Sequence, residues 1–212
     1  MKKKFLIIML LAVFLLCSHM SVYAATSFTD LTEDHWAYDY IEALSQGGII
    51  NGYPDGTFQP EGTTTRAEFF KMMAITEADD EAVNSFSGKV FNWYDPYVEY
   101  IFGMKMAMIG TDSSGMDNPI TRKEATMIIA NYAVYNGFLE SFDYETYKSF
   151  DVFEDTKSFG EYNKYLLNYA CACGIITGYE DGTFRPDQTM TRAEVATILC
   201  RFCYIWTEGW EQ

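Results

Sequence analysis

Ala37, Ile41 and Leu44 fall three and four positions apart with Trp36 and Tyr40 beside them, and this spacing predicts one apolar helix face that ends at Gly47 and Gly48. A tight turn comes next at Tyr53-Pro54-Asp55-Gly56, where proline and glycine supply the fixed and positive φ that such turns need. A second helix is predicted from Arg66, with Phe70, Met73 and Ala74 on its apolar face. The pattern then returns. "NGYPDGTFQPEGTTTRAEF" begins at Asn51 and "TGYEDGTFRPDQTMTRAEV" at Thr177. Around the second stretch, Leu166, Leu167 and Ala170 predict a first helix, Glu180-Asp181-Gly182 the turn, and Val195, Ile198, Leu199 and Phe202 the stripe of a second helix.

A worn copy lies between them. "VFNWYDPYVEYIFGMKMAMIGTDSSGMDNPITRKEATMII" keeps Trp93, Ile101, the run at 108–110, Gly115, Pro119 and the helix start, but it lacks the Asp-Gly-Thr-Phe turn and is three residues shorter between proline and arginine. Ser113 and Ser114 stand where the turn is lost, so the loop of this copy, with Arg122, is expected to build the misshapen site. The chain thus divides into repeat one over 25–75, an acidic connector over 76–89, repeat two over 90–134, a second connector over 135–149, repeat three over 150–204 and a tail over 205–212. A single helix pair cannot bury its apolar face alone, so the three helix pairs are expected to stack on each other.

Each second helix starts alike: Thr65-Arg66-Ala67-Glu68, Thr121-Arg122-Lys123-Glu124 and Thr191-Arg192-Ala193-Glu194. All three read as capping boxes, in which threonine and glutamate satisfy each other's backbone N–H groups. That accounts for two residue types and leaves the arginine unexplained, because a cation in the first turn sits against the positive end of the helix dipole. Two readings stay open. An anion is bound near each guanidinium, or each arginine pairs with an acid from a neighbouring repeat.

Charge narrows the partners. Lys2, Lys3 and Lys4 before an apolar run from Phe5 to Leu16, then Val22 and Ala24, read as a secretory signal over 1–24 cleaved after Ala24; Leu16 is too bulky to make Cys17 a lipidation site. The remaining 188 residues carry 12 basic and 30 acidic side chains, a formal charge of −18. Such a chain is neither a nucleic-acid binder nor inserted in a membrane after cleavage, and it can hold an anionic polymer only in local cationic pockets. The apolar fraction of 49% is ample for a packed core.

Catalytic signals are sparse. His35 is the one histidine of the mature chain, no Gly-x-Ser-x-Gly elbow occurs, and no carboxylate pair is placed by a glycosidase motif, so no enzyme and no cofactor are expected. The Asp-Gly turns lack the spaced oxygens of a calcium loop. Cys171, Cys173, Cys200 and Cys203 all fall on the two helices of repeat three, where buried thiols, interhelical disulfides and a metal site are alternatives in that order.

The order F-x-D, HW, GII-x-GY-x-DGTF-x-P and TRAE resembles the S-layer homology domain of bacterial cell-surface proteins. The resemblance implies a mostly α fold of three helix-loop-helix repeats, arranged with pseudo-threefold symmetry around a central three-helix bundle. It also implies grooves between repeats that bind a pyruvylated secondary polysaccharide on peptidoglycan, which places the protein at the cell wall. The arginine of the TRAE box contacts ligand in that family, and the matching residues here are Arg66, Arg122 and Arg192. A ketal carboxylate suits an arginine fork. Trp36 could stack on a sugar face or sit in the core, and Asp55, Gly56, Asp181 and Gly182 could meet sugar hydroxyls or simply form turns. A second reading keeps the same trefoil as an adaptor for another surface protein.

Overall fold

The computed structural model describes residues 28–86, 88–103, 114–137, 142–148 and 151–208, with the backbone alone at 86 and 205–208; the signal region, the run at 108–110, and the side chains of Trp206 and Trp210 lie outside that description. The described residues are mostly helical and contain no strand. The helices are α1 (Tyr38–Gln46), α2 (Arg66–Ile75), α3 (Asp80–Phe86), α4 (Asp95–Gly103), α5 (Arg122–Tyr135), α6 (Tyr144–Tyr147), α7 (Glu161–Ala172) and α8 (Arg192–Glu208), with a short 3-10 turn at Glu154–Thr156. The two segments read as connectors hold α3 and α6, and α8 continues into the predicted tail.

Capping boxes start the second helices as the spacing predicts. The Thr65 and Thr121 hydroxyls accept from the N–H groups of Glu68 and Glu124, and those glutamates accept from the threonine N–H. Thr191 and Glu194 form the same exchange at α8. The stripe residues Ile41, Leu44, Phe70, Met73, Leu166, Leu167, Val195, Leu199 and Phe202 are buried in one continuous core.

The helix pairing differs from the expectation. α1 packs on α8, α2 on α4, and α5 on α7, so a second helix pairs with a first helix from another segment and not with its own. The cysteines of α7 and α8 therefore do not face each other across a helix pair. All four are thiols, half-buried or buried, and burial pushes Cys171 up to about 11 and Cys173 and Cys203 up to about 12.

The reason for the exchange lies in the chain just before each helix start. Thr64 N–H donates to Met190, Met190 N–H to Ile120 and Ile120 N–H to Thr64, a closed ring of three backbone hydrogen bonds at 2.9–3.0 Å among fully buried residues. The next residues extend it. Arg66 N–H donates to the Asn118 carbonyl, Arg122 N–H to Gln188 and Arg192 N–H to Gly62, so the N–H groups left open at the first turn of one helix are satisfied by the approach loop of another. The far ends of the three second helices also meet, through the edge-on rings of Tyr132 and Phe202 and the Tyr132 hydroxyl donating to Glu77 just past α2.

Candidate functional site

The turns carry local sequence logic in both intact copies. Asp30 accepts from the N–H groups of Phe58 and Gln59, and Asp155 from those of Phe184 and Arg185, which holds Gln59 and Arg185 at a φ of +57°. These aspartates are the acid of the F-x-D motif, whose role the spacing left unread. The phenylalanine of the same motif lies against a glycine: a Cβ on Gly178 would stand 2.1 Å from the Phe153 ring, and one on Gly52 2.5 Å from Phe28.

Of the sequence-derived candidates, four serve the turns. Asp55 accepts from the N–H and hydroxyl of Thr57, and Asp181 from those of Thr183 and also from Arg185, bonds that hold the Asp181 carboxyl down at about 2. Gly56 and Gly182 take φ of +84° and +78°, which the turn demands. None of the four lines either of the grooves that the arginines build.

Each arginine reaches into a turn of a different segment. Arg192 donates from Nε to the Phe58 carbonyl at 2.9 Å and from Nη2 to Asn51 at 3.1 Å, with its plane over the rings of Tyr53 and Phe58. Arg122 repeats this in the last segment, donating to Phe184 at 2.9 Å and Thr177 at 3.0 Å and lying over Tyr179 and Phe184. Both are more than nine-tenths buried. Arg66 instead donates to the Ser114 carbonyl of the middle segment. The worn loop therefore belongs to Arg66, and Arg122 sits in an intact turn, a reversal of the assignment by chain order.

The capping glutamates complete the pattern. One oxygen of each closes its own capping box, while the other faces an arginine from elsewhere: Glu68 lies 3.8 Å from Arg192 and Glu194 3.9 Å from Arg122, whereas Glu124 accepts directly from Arg66. The anion-binding and ion-pairing readings of the arginines thus share one place, because the arginine and its acid line the same groove.

Two such grooves stand out. One, of about 210 Å³, is lined by Arg192, Glu68 and Lys71 over the floor of Ile49 to Tyr53. The other, of about 150 Å³, is lined by Arg122, Glu194, Arg201 and Trp36, with Thr177 and Ile198. Trp36 is 57% exposed and stacks on His35, so it belongs to the groove rim and not to the core. Lys71 and Arg201 fall outside the repeated box, and nothing in the repeat pattern marks them; their positions three and seven residues after a capping glutamate, on that residue's helix face, are the signal that could have found them.

Comparison with known proteins finds a family match for the two intact repeated stretches. Residues 27–70 and 153–196 match the S-layer homology domain. The match covers the first and last segments, and the middle one lies outside it. Across 82% of its length the chain is 33% identical to the Exoglucanase XynX of Acetivibrio thermocellus, of which it spans 16%. It is 27% identical to the S-layer protein sap of Bacillus anthracis over 84% of its length and 21% of that protein, and 28% identical to the Cellulosome-anchoring protein of Acetivibrio thermocellus over 72% and 35%. The chain thus spans well under half of these relatives. The S-layer homology match and the S-layer relatives indicate a cell-surface or cell-wall location, and no helix among the described residues is long and apolar enough to cross a membrane.

Proposed function

We propose that this chain is a non-catalytic anchoring module that holds a pyruvylated secondary cell-wall polysaccharide in the grooves beside its buried arginines. The S-layer homology segments and the anchoring and S-layer relatives support a surface-attachment role. The observation that carries the ligand class is the setting of Arg192. Its Nε and one Nη2 hydrogen are bound to backbone carbonyls and its plane is fixed on two rings, while Nη1 faces a groove that also receives Lys71. Glu68 stands beyond hydrogen-bonding distance at 3.8 Å. Two cations against one acid leave the groove net positive on a chain that is otherwise strongly acidic. A carboxylate on a sugar would neutralise it, and the immobilised guanidinium loses little further freedom on binding.

Retention of the purified protein on wall sacculi, before and after chemical removal of the secondary polymer, tests the reading. Binding that disappears with the polymer supports it. Binding that persists undiminished on stripped sacculi carrying only their proteins would favour the adaptor role instead.

A further inference from the structure

The three arginine sites differ, and the difference lies in side chains outside the repeated motif. Resting on the wall-polysaccharide reading, we infer that the chain binds two anionic sugar residues, at Arg192 and at Arg122, each through a second cation and an exposed indole, and that the Arg66 site is closed by its own glutamate.

The second cation comes from the face of each second helix that carries the capping glutamate. At the Arg192 site it is Lys71, three residues after Glu68; at the Arg122 site it is Arg201, seven residues after Glu194. Positions three and seven apart share a helix face, so both point into their grooves. Neither is neutralised: among the described residues Lys71 lies 5.2 Å over the Tyr97 ring and Arg201 5.5 Å over Tyr40, and no carboxylate pairs with either. The same positions after Glu124 hold Met127 and Asn131, neither of them a cation.

The indoles come from the turn just before the first helix packed against that face. Trp36 lines the Arg122 groove directly. Trp93, 54% exposed, lies 6.4 Å from Tyr97 and so continues the surface on which Lys71 rests. At the corresponding place in the last segment, against α5, stands Tyr162, whose hydroxyl donates to Asn131 at 2.6 Å and whose ring is half-buried. A sugar has an apolar face and a ketal carboxylate at one edge; an indole and two cations beside it match both parts. At Arg66 the ligand would have to displace Glu124 and would gain neither a second cation nor an indole.

The test is titration calorimetry of the full chain with a methyl hexoside carrying a 4,6-pyruvate ketal, alongside the same hexoside without the ketal. Two sites per chain are expected for the ketal and none for the neutral sugar. Lys71→Met and Arg201→Met should each weaken one site by about tenfold or more and leave the other intact, whereas Arg66→Met should leave two sites. Trp93→Leu and Trp36→Leu should each weaken the site on their own side. Glu124→Gln, which keeps a capping side chain at that position, should unmask a weak third site. One or three sites in the native chain, or two undiminished sites in the Lys71→Met and Arg201→Met double variant with an unchanged melting curve, would overturn the assignment while leaving the wall-binding reading standing. No heat with the ketal together with no retention on sacculi would take down both.

Discussion

Arg66 donates directly to the carboxylate of Glu124, 58 residues along the chain, whereas Arg192 stops 3.8 Å short of Glu68 although both glutamates begin their helices in the same way. In each case one carboxylate oxygen is occupied at the threonine N–H, at 3.0 Å for Glu124 and 2.8 Å for Glu68. The difference is made by the arginine. Arg192 is drawn away by two carbonyls and two rings of an intact turn, while the worn loop offers Arg66 only the Ser114 carbonyl.

This pair sets a stability change. Glu124→Gln keeps an acceptor for the Thr121 N–H and loses the ion pair, so the cost should be about 1 kcal/mol, at the upper end for partly exposed pairs, and it should shrink in high salt. Urea denaturation at low and high ionic strength measures it. A salt-independent cost would show that the side chain acts only as a cap.

Thr64 gives a prediction of opposite sign. It is fully buried in the ring of backbone hydrogen bonds where the other two segments place Ile120 and Met190, and its Oγ1 has no hydrogen-bond partner. Thr64→Val removes that polar atom and keeps the branched shape, so stability should rise by about 1 kcal/mol. A lower melting temperature would mean that the hydroxyl is satisfied in solution.

How much of this was legible in the sequence depends on what periodicity encodes. The helix starts, the boxes of Thr65 to Glu68 and Thr121 to Glu124, and the buried stripes were all legible, because a 3.6-residue spacing marks a face and a short motif marks a terminus. Periodicity does not name the partner of a face. The pairing of α1 with α8, and the insertion of Arg122 in the turn of the last segment, depend on backbone hydrogen bonds between loops such as Lys123 N–H to Pro186, which leave no side-chain signature. Lys71 and Arg201 were hidden for a different reason: they occupy two different turns of the helix and so do not repeat.

The carboxyl of Glu77 sets a pH dependence. Burial raises its pKa, the Tyr132 hydroxyl donates to one oxygen, and the other is buried without a partner. A folded-state pKa above the unfolded one means that the folded chain binds the proton more tightly. The stabilising contribution is complete below the ordinary glutamate range and is lost as pH rises through the raised value. Glu77→Gln should therefore gain stability at neutral pH relative to the native chain and flatten the part of the profile just above pH 4.5. Asp181 acts oppositely: its lowered value makes its contribution complete above the ordinary aspartate range and lost as pH falls towards 2. Melting temperatures of the native chain and the Glu77→Gln variant between pH 4 and 8 separate the two; parallel curves would remove Glu77 as the source.

Arg192→Lys is the substitution that separates charge from shape. An ammonium keeps the positive charge against the helix dipole, but it cannot donate to the Phe58 and Asn51 carbonyls, lie over the rings of Tyr53 and Phe58, and still present a free edge to the groove. If lysine bonds the carbonyls, the groove loses its cation edge; if it turns to the groove, two carbonyls in the turn lose their donor, at about 1–3 kcal/mol for each one left buried without a partner. Either way retention on wall sacculi should fall well below that of the native chain, and the melting temperature should drop at the same time. The corresponding Arg66→Lys variant should keep its melting temperature within a few degrees, because lysine can still pair with Glu124 and only the weaker Ser114 contact is lost. Full wall retention by Arg192→Lys with an unchanged melting curve would show that charge alone is sufficient at that site and that the guanidinium's fixed plane contributes nothing to holding the polymer.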